Sequence, residues 1–311
     1  MDGSTGRDVV RRWTDNPIIA IEDVPFRCAD IWNAGVTRLD GQYVLLITIE
    51  TLRGLTQIHL ARSRDGTHFT VQGEPFMASA TVGPLAKYEN RGVRDPRITR
   101  VDGSYYVIYV ADSDLGQRLG LARTADFTSV ERLGLYTQPD TKGGALFPEK
   151  IGRRFAALER PNPGMSIWIS YSDDLTYWGG SEVVMAPRGG YWDSHRVGAA
   201  VPPIRIEQGW LLIYYGEKGT SAGPLVRLGA AILDADNPAK VVARSNIPIL
   251  TPRERYERVG DVPNVVFSCG AVLDSDDELK LYYGASDSCI CLGTARLCEI
   301  IETCLRSARE F

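Results

Sequence analysis

The chain has 311 residues, 44 % of them hydrophobic and 24 % charged, with a formal net charge of −4. That balance suits one large or two modest globular units. It excludes a chain built mainly to hold a phosphate backbone or an anionic membrane surface, which needs an excess of Lys and Arg.

No apolar run reaches the roughly 18 residues that a membrane-spanning helix needs, and the opening MDGSTGRDVVRRW lacks the apolar centre of a secretory leader. The expectation is a cytoplasmic protein with neither nucleic acid nor membrane as partner. Cys28, Cys269, Cys289, Cys291, Cys298 and Cys304 show no paired CxxC spacing, so they read as reduced, mostly structural thiols.

In chain order, DVVRRW at 8–13 can form a short helix or a strand. A hairpin then reads from NAGVTRLDGQYVLLITIE at 33–50, and the same design recurs at 95–112, 146–161, 201–218 and 264–286. Each copy joins two β-rich runs across a DG-like or Gly-containing turn, the strongest short-range hairpin signal. A second motif follows the first three hairpins: IHLARSRDGTHF at 58–69, LGLARTADFTSV at 119–130 and IWISYSDDLTYW at 167–178. It loosens in RLGAAILDADNP at 227–238 and keeps only its strand in CICLGTARL at 289–297. Leu297, Ile300, Ile301 and Leu305 sit at helical spacing and predict a short C-terminal helix.

Strand-only units without helical spacers predict an all-β, five-bladed β-propeller, with a pair of β-sandwiches as the other candidate architecture. The expected blades are 31–75, 93–135, 143–186, 197–245 and 259–297, within a single domain 1–311 whose terminal segments close the ring.

If each blade begins at the axis, polar residues at the strand openings converge. These are Asn33, Asp95, Lys142 and Glu149, the Asp193–Arg196 stretch with His195, and Asp261 with Asn264; from second strands come Glu159, Arg160, Tyr215, Glu217, Lys218 and Asp287. A funnel of carboxylates, amides, cations and aromatics suits sugar recognition, and a buried carboxyl there can act as a general acid. The bland alternative is that each caps a turn. That alternative is adopted for Asp40, Asp102, Asp65, Asp126 and Asp174, and structural roles for His59 and His68. Nothing in the spacing calls for a metal or an organic cofactor.

At GVRDPRIT, LFPEKI, PPI with GWLLIYYG, and DVPNVVFSCG the chain resembles glycoside hydrolase family 130, the inverting β-mannoside phosphorylases and β-mannosidases, and the related enzymes that build and degrade β-1,2-mannan. The resemblance runs from about residue 15 to about residue 300, with its motifs in order. It implies a five-bladed propeller and a single catalytic acid, Asp95, which protonates the departing oxygen by relay through a mannosyl hydroxyl while phosphate attacks the opposite face. It further implies sugar contacts from Asn33, Arg97, Lys150, Asp193, Tyr215 and Asp287, and a phosphate site of Lys142, Arg160, Arg196 and His195. Three departures stand out. GVEDPR has become GVRDPR, so Arg94 precedes the acid and strand alternation should turn it away; Tyr215 replaces a frequent His; and Thr48 stands where an Arg is common.

The implied partners are a β-mannoside or manno-oligosaccharide and inorganic phosphate or mannose 1-phosphate, with GDP-mannose as a further donor. Two alternatives accompany this reading. One is an inverting β-mannosidase using Glu159 or Glu217 to activate water, and the other is a non-catalytic carbohydrate-binding propeller.

Overall fold

The computed structural model describes residues 8–274 and 277–308; the expected domain span 1–311 therefore has both ends outside the described residues. After β1 (Arg11–Arg12), the first blade is β2 (Cys28–Leu39), β3 (Gln42–Thr51), β4 (Thr56–Ser63) and β5 (Thr70–Met77). The second is β6 (Gly92–Val101), β7 (Ser104–Asp112), β8 (Arg118–Thr124) and β9 (Glu131–Leu135). The third is β10 (Thr141–Leu146), β11 (Phe155–Pro161), β12 (Ile167–Ser172) and β13 (Gly179–Met185). The fourth is β14 (Arg196–Ala199), β15 (Ile204–Ile206), β16 (Gly209–Thr220), β17 (Gly223–Leu233) and β18 (Val241–Arg244). A short helix, α1 (Arg255–Arg258), leads to β19 (Val266–Leu273), β20 (Glu278–Ala285) and β21 (Cys289–Arg296), and α2 (Leu297–Ala308) ends the described chain.

Neighbouring strands within each blade run antiparallel, and the first two blades touch through one parallel contact, Thr56 beside Gly92. The fifth blade borrows its fourth strand from the other end of the chain: β1 pairs with β21, Arg11 opposite Thr294. The molecule is thus a five-bladed β-propeller closed by its N-terminal strand. Of the two readings of DVVRRW, the strand is the one found.

Local chemistry explains the blades. Asp40-Gly41 and Asp102-Gly103 both take positive φ, the two-residue turn whose twist matches a hairpin, and they set Leu39 opposite Gln42 and Val101 opposite Ser104. In the second motif the carboxylates of Asp65, Asp126 and Asp174 accept backbone N–H groups two residues on, at 2.8–2.9 Å. They are turn residues, as expected.

The blades pack face to face through five apolar layers among the described residues, one per neighbouring pair. Trp210, for example, meets Phe147 edge to face at 5.2 Å between the third and fourth blades. Helix α2 buries Ile300 and Cys304 against the layer between the fourth and fifth. All six cysteines are free, and five are buried. No helix among the described residues is long and apolar enough to cross a membrane.

Candidate active site

Backbone irregularity aims the polar side chains. Strand register slips at Trp32/Ala34 in β2, at Arg94/Arg97 in β6, at Lys142/Ala145 in β10 and at Ser268/Gly270 in β19. Each slip is a bulge on the innermost strand of its blade, and a bulge re-aims a side chain without ending the sheet. Asn33 and Asp95 sit in these bulges at φ of 47° and 55°, and Asp287 lies in a turn at 50°. Left-handed backbone costs a non-glycine residue about 1 kcal/mol, with Asn and Asp bearing it best.

These segments face one cavity of about 720 Å³, open to solvent. Lys142, Arg160 and Arg196 supply positive charge; Asp95, Glu217 and Asp287 supply carboxyl groups; Asn33 and Tyr215 complete the polar lining. Val226, Val262, Val265 and Phe267 form an apolar wall, with Phe267 stacked at a tilt on Tyr215, centroids 4.8 Å apart. Neither Phe267 nor the valines stood out in the sequence, although DVPNVVFSCG contains two of them.

Asp95 is 7 % exposed. Its Oδ1 accepts from Asn33 Nδ2 at 2.9 Å, and its own N–H donates to Thr48 Oγ1 at 3.0 Å, so Thr48 braces the acid where an Arg was expected. Burial pushes the Asp95 carboxyl upward, but Arg94, Arg97, the Asn33 hydrogen bond and Lys142 together hold it below its ordinary value. Arg94 is not turned away by simple alternation, because the bulge interrupts it. The side chain pairs with Asp112 Oδ2 at 2.7 Å, yet its charge still acts on Asp95. Asp287 behaves oppositely: burial first, then Asp95 and Asp261, push it up to about 7. Lys142 is driven down to about 8 by burial and by Arg94, partly offset by Asp95.

Of the residues expected at the site, Asn33, Asp95, Lys142, Arg160, Arg196, Tyr215, Glu217 and Asp287 share the cavity. The other five do not line it. Arg97 is 1 % exposed and spans from β6 to the end of β14, donating to the carbonyls of Ala200, Asp95 and Ala199. It braces the backbone beneath the acid. Lys150 is exposed at the far end of the β10–β11 hairpin, its Nζ 4.4 Å from the Phe155 ring centroid, because the hairpin returns to the cavity only at Arg160. Asp193 is fully buried between Arg188 and Arg244, at 2.9 and 2.7 Å, and accepts from Tyr214.

Glu159 precedes Arg160 on β11 and points to the other face, accepting from Ser170 at 2.7 Å and outside the cavity lining. His195 is exposed outside the wall, with Nε2 3.6 Å from Glu217 Oε1. Among the described residues no group of three or more His, Cys, Asp or Glu side chains is arranged to hold a metal.

Three acids, three cations and two aromatics in one pocket can bind a polyol, deliver a proton and hold an oxyanion. Comparison with known proteins agrees. The family model for glycoside hydrolase 130, described as β-1,4-mannooligosaccharide phosphorylase, matches residues 7–306. A 1,2-β-oligomannan phosphorylase of Thermoanaerobacter sp. is 38 % identical over 239 residues, 76 % of this chain and 77 % of that protein. A β-1,2-mannobiose phosphorylase of Listeria innocua is 37 % identical over 254 residues, 80 % of this chain and 69 % of that protein. The solved structure of a Listeria innocua β-1,2-mannobiose phosphorylase with β-1,2-mannobiose superposes with a TM-score of 0.88 at 30 % identity, over 96 % of this chain and 99 % of that one.

Proposed function

The chain belongs to glycoside hydrolase family 130, and on that basis we propose that it cleaves terminal β-mannosidic bonds of manno-oligosaccharides, β-1,2-linked, by inverting phosphorolysis to α-mannose 1-phosphate, and forms them in reverse. The observation that carries this reading is a cavity in which Asp95 shares walls with Lys142, Arg160 and Arg196. Two guanidinium groups and an ammonium facing one space suit an oxyanion, since Arg offers paired donors matched to phosphate. The relatives named for β-1,2 bonds favour that linkage over the β-1,4 bond of the family model's description.

In the chemistry we assign, a phosphate oxygen bonds to the anomeric carbon from the face opposite the glycosidic bond. The C–O bond breaks, and the departing oxygen takes the proton of Asp95, relayed through a mannosyl hydroxyl as the family resemblance implies. The depressed Asp95 is ionised in the free site, so its proton must arrive as the site fills. Hydrogen phosphate beside Lys142 and Arg160 offsets the cations that depress it, which raises its proton affinity. Asp287, which lines the same cavity, is pushed up to about 7 by burial and by the charges of Asp95 and Asp261. Conserving the bond as a sugar phosphate is of use where phosphate esters are retained, so our reading assigns the enzyme to the cytoplasm.

Glu217, the remaining carboxylate of the cavity, supports the second reading, an inverting hydrolase in which it activates water. Incubating the protein with β-1,2-mannobiose, with and without inorganic phosphate, separates the two. Phosphate-dependent α-mannose 1-phosphate is expected, and free mannose released equally well without phosphate would overturn phosphorolysis. A third arm, with GDP-mannose and a mannosyl acceptor, tests use of the nucleotide donor.

A further inference from the structure

The polar side chains of the cavity satisfy one another only in part, through the Asn33–Asp95 hydrogen bond and the Arg196–Glu217 ion pair. Arg160 and Arg196 each bury an Nε–H that meets no acceptor. Glu217, 4 % exposed, buries an Oε2 that meets no donor in hydrogen-bonding geometry, although the Arg196 guanidinium stands against it as an ion pair. Buried donors and acceptors left open are costly. Glu217 lines the same cavity as Lys142, Arg160 and Arg196, so an occupant held by the three cations also meets a carboxylate, and the set suits one that offers acceptor oxygens to the cations and one O–H to the carboxylate. A fully deprotonated oxyanion fails the second requirement, because its bare oxygen would face the Glu217 carboxylate in a weakly screened space.

We propose, resting on the phosphorolytic reading, that Glu217 makes this anion site selective for a tetrahedral oxyanion that still carries a proton. Hydrogen phosphate binds with its P–OH donating to Glu217 while its unprotonated oxygens accept from Lys142, Arg160 and Arg196; sulfate, which has no proton to give at neutral pH, is rejected. The carboxylate lowers affinity for any dianion, but it penalises the wrong one more, and specificity is that difference. It also orients the nucleophile. The protonated oxygen, the poorer nucleophile, is turned to Glu217, which leaves an anionic oxygen free to face the sugar. On its other side Glu217 has His195, whose Nε2 lies 3.6 Å from Oε1 and which does not line the cavity.

Calorimetric titration of the protein with inorganic phosphate and, separately, with sulfate at neutral pH tests this without any sugar. The wild type is expected to bind phosphate at least about tenfold more tightly than sulfate. Glu217→Gln, whose amide can donate to a bare oxygen, is expected to narrow that ratio by about tenfold, chiefly by gaining sulfate affinity. Equal binding of the two anions by the wild type, no phosphate binding, or an unchanged ratio in Glu217→Gln would overturn the proposal. If Glu217→Gln does not fold, the wild-type ratio and that of Glu217→Ala decide by the same criterion. Failure of the phosphorolytic reading itself would appear elsewhere, as phosphate-independent release of mannose, with these binding ratios intact.

Discussion

Asp95 is asked to donate a proton from a position that favours its ionised form, and neighbouring charges set the terms. Asp95→Asn keeps the side-chain shape and a residue type tolerant of left-handed backbone. It is expected to lower kcat by about 10²–10⁴-fold with the mannoside KM nearly unchanged; unaltered turnover in steady-state assays would leave a non-catalytic sugar-binding propeller as the better account. Lys142 carries its charge below pH about 8 and loses it as pH rises through that value. The phosphate KM should therefore climb above pH about 8, and Lys142→Arg, which stays charged, should abolish that limb of the profile.

For Asp287 the folded carboxyl titrates near 7 against an ordinary value of 3.8. The folded state then holds a proton that the unfolded state has released, so the contribution of this group to stability falls as pH rises through that window and levels off above it. Asp287→Asn should gain on the wild type by a few degrees of Tm between pH about 4 and about 7, with no further gain at higher pH. Residue types were the legible part at this scale: eight of the thirteen expected side chains share the cavity. What the sequence does not show is direction and depth: Glu159 and Arg160 are neighbours on opposite faces of β11, and Lys150 lies at the far end of its hairpin.

Among the elements, the hairpins could be read from their turns because Asp-Gly pairs adopt a turn that few other residues permit. The bulges in β2, β6, β10 and β19 could not. A bulge is one unpaired residue between two strands, and it leaves the alternation of a single strand almost unmarked. Closure of the ring by the terminal segments was expected, but whether 8–13 formed a helix or a strand was not legible. β1 contributes only two residues to the sheet, but Arg12 reaches Glu257, which is wholly buried, at 2.8 Å, and also the Thr251 carbonyl. Removing one partner of a buried pair strands the other, so Arg12→Leu should cost about 3–5 kcal/mol in denaturant unfolding. A loss below about 1 kcal/mol would show that the ion pair does not hold the closure.

For the whole molecule, the central constraint is how closely the inner strands approach one another. A Cβ on Gly35 would stand within 2.4 Å of the Pro96 carbonyl oxygen, and one on Gly270 equally near the Val36 nitrogen, so β2 meets β6 and β19 backbone to backbone. Gly35→Ala must push Pro96, and with it Asp95. Displacing a catalytic group by about 1 Å costs on the order of 10²-fold, so kcat should fall by at least tenfold while the variant still unfolds cooperatively; an unchanged kcat would mean that the axis yields elsewhere. Repeat spacing, turn chemistry and the alternation of apolar residues were enough to expect a ring of β-blades and a C-terminal helix, because those signals are local and recur along the chain, while the family came from the resemblance of motifs such as GVRDPRIT and DVPNVVFSCG. Which of two adjacent side chains enters the cavity, what braces Asp95 and what faces Glu217 depend on bulges and on strands brought together across the axis. Such contacts join residues a hundred or more positions apart, as Arg97 and Ala200 do, and they exist only once the ring has closed.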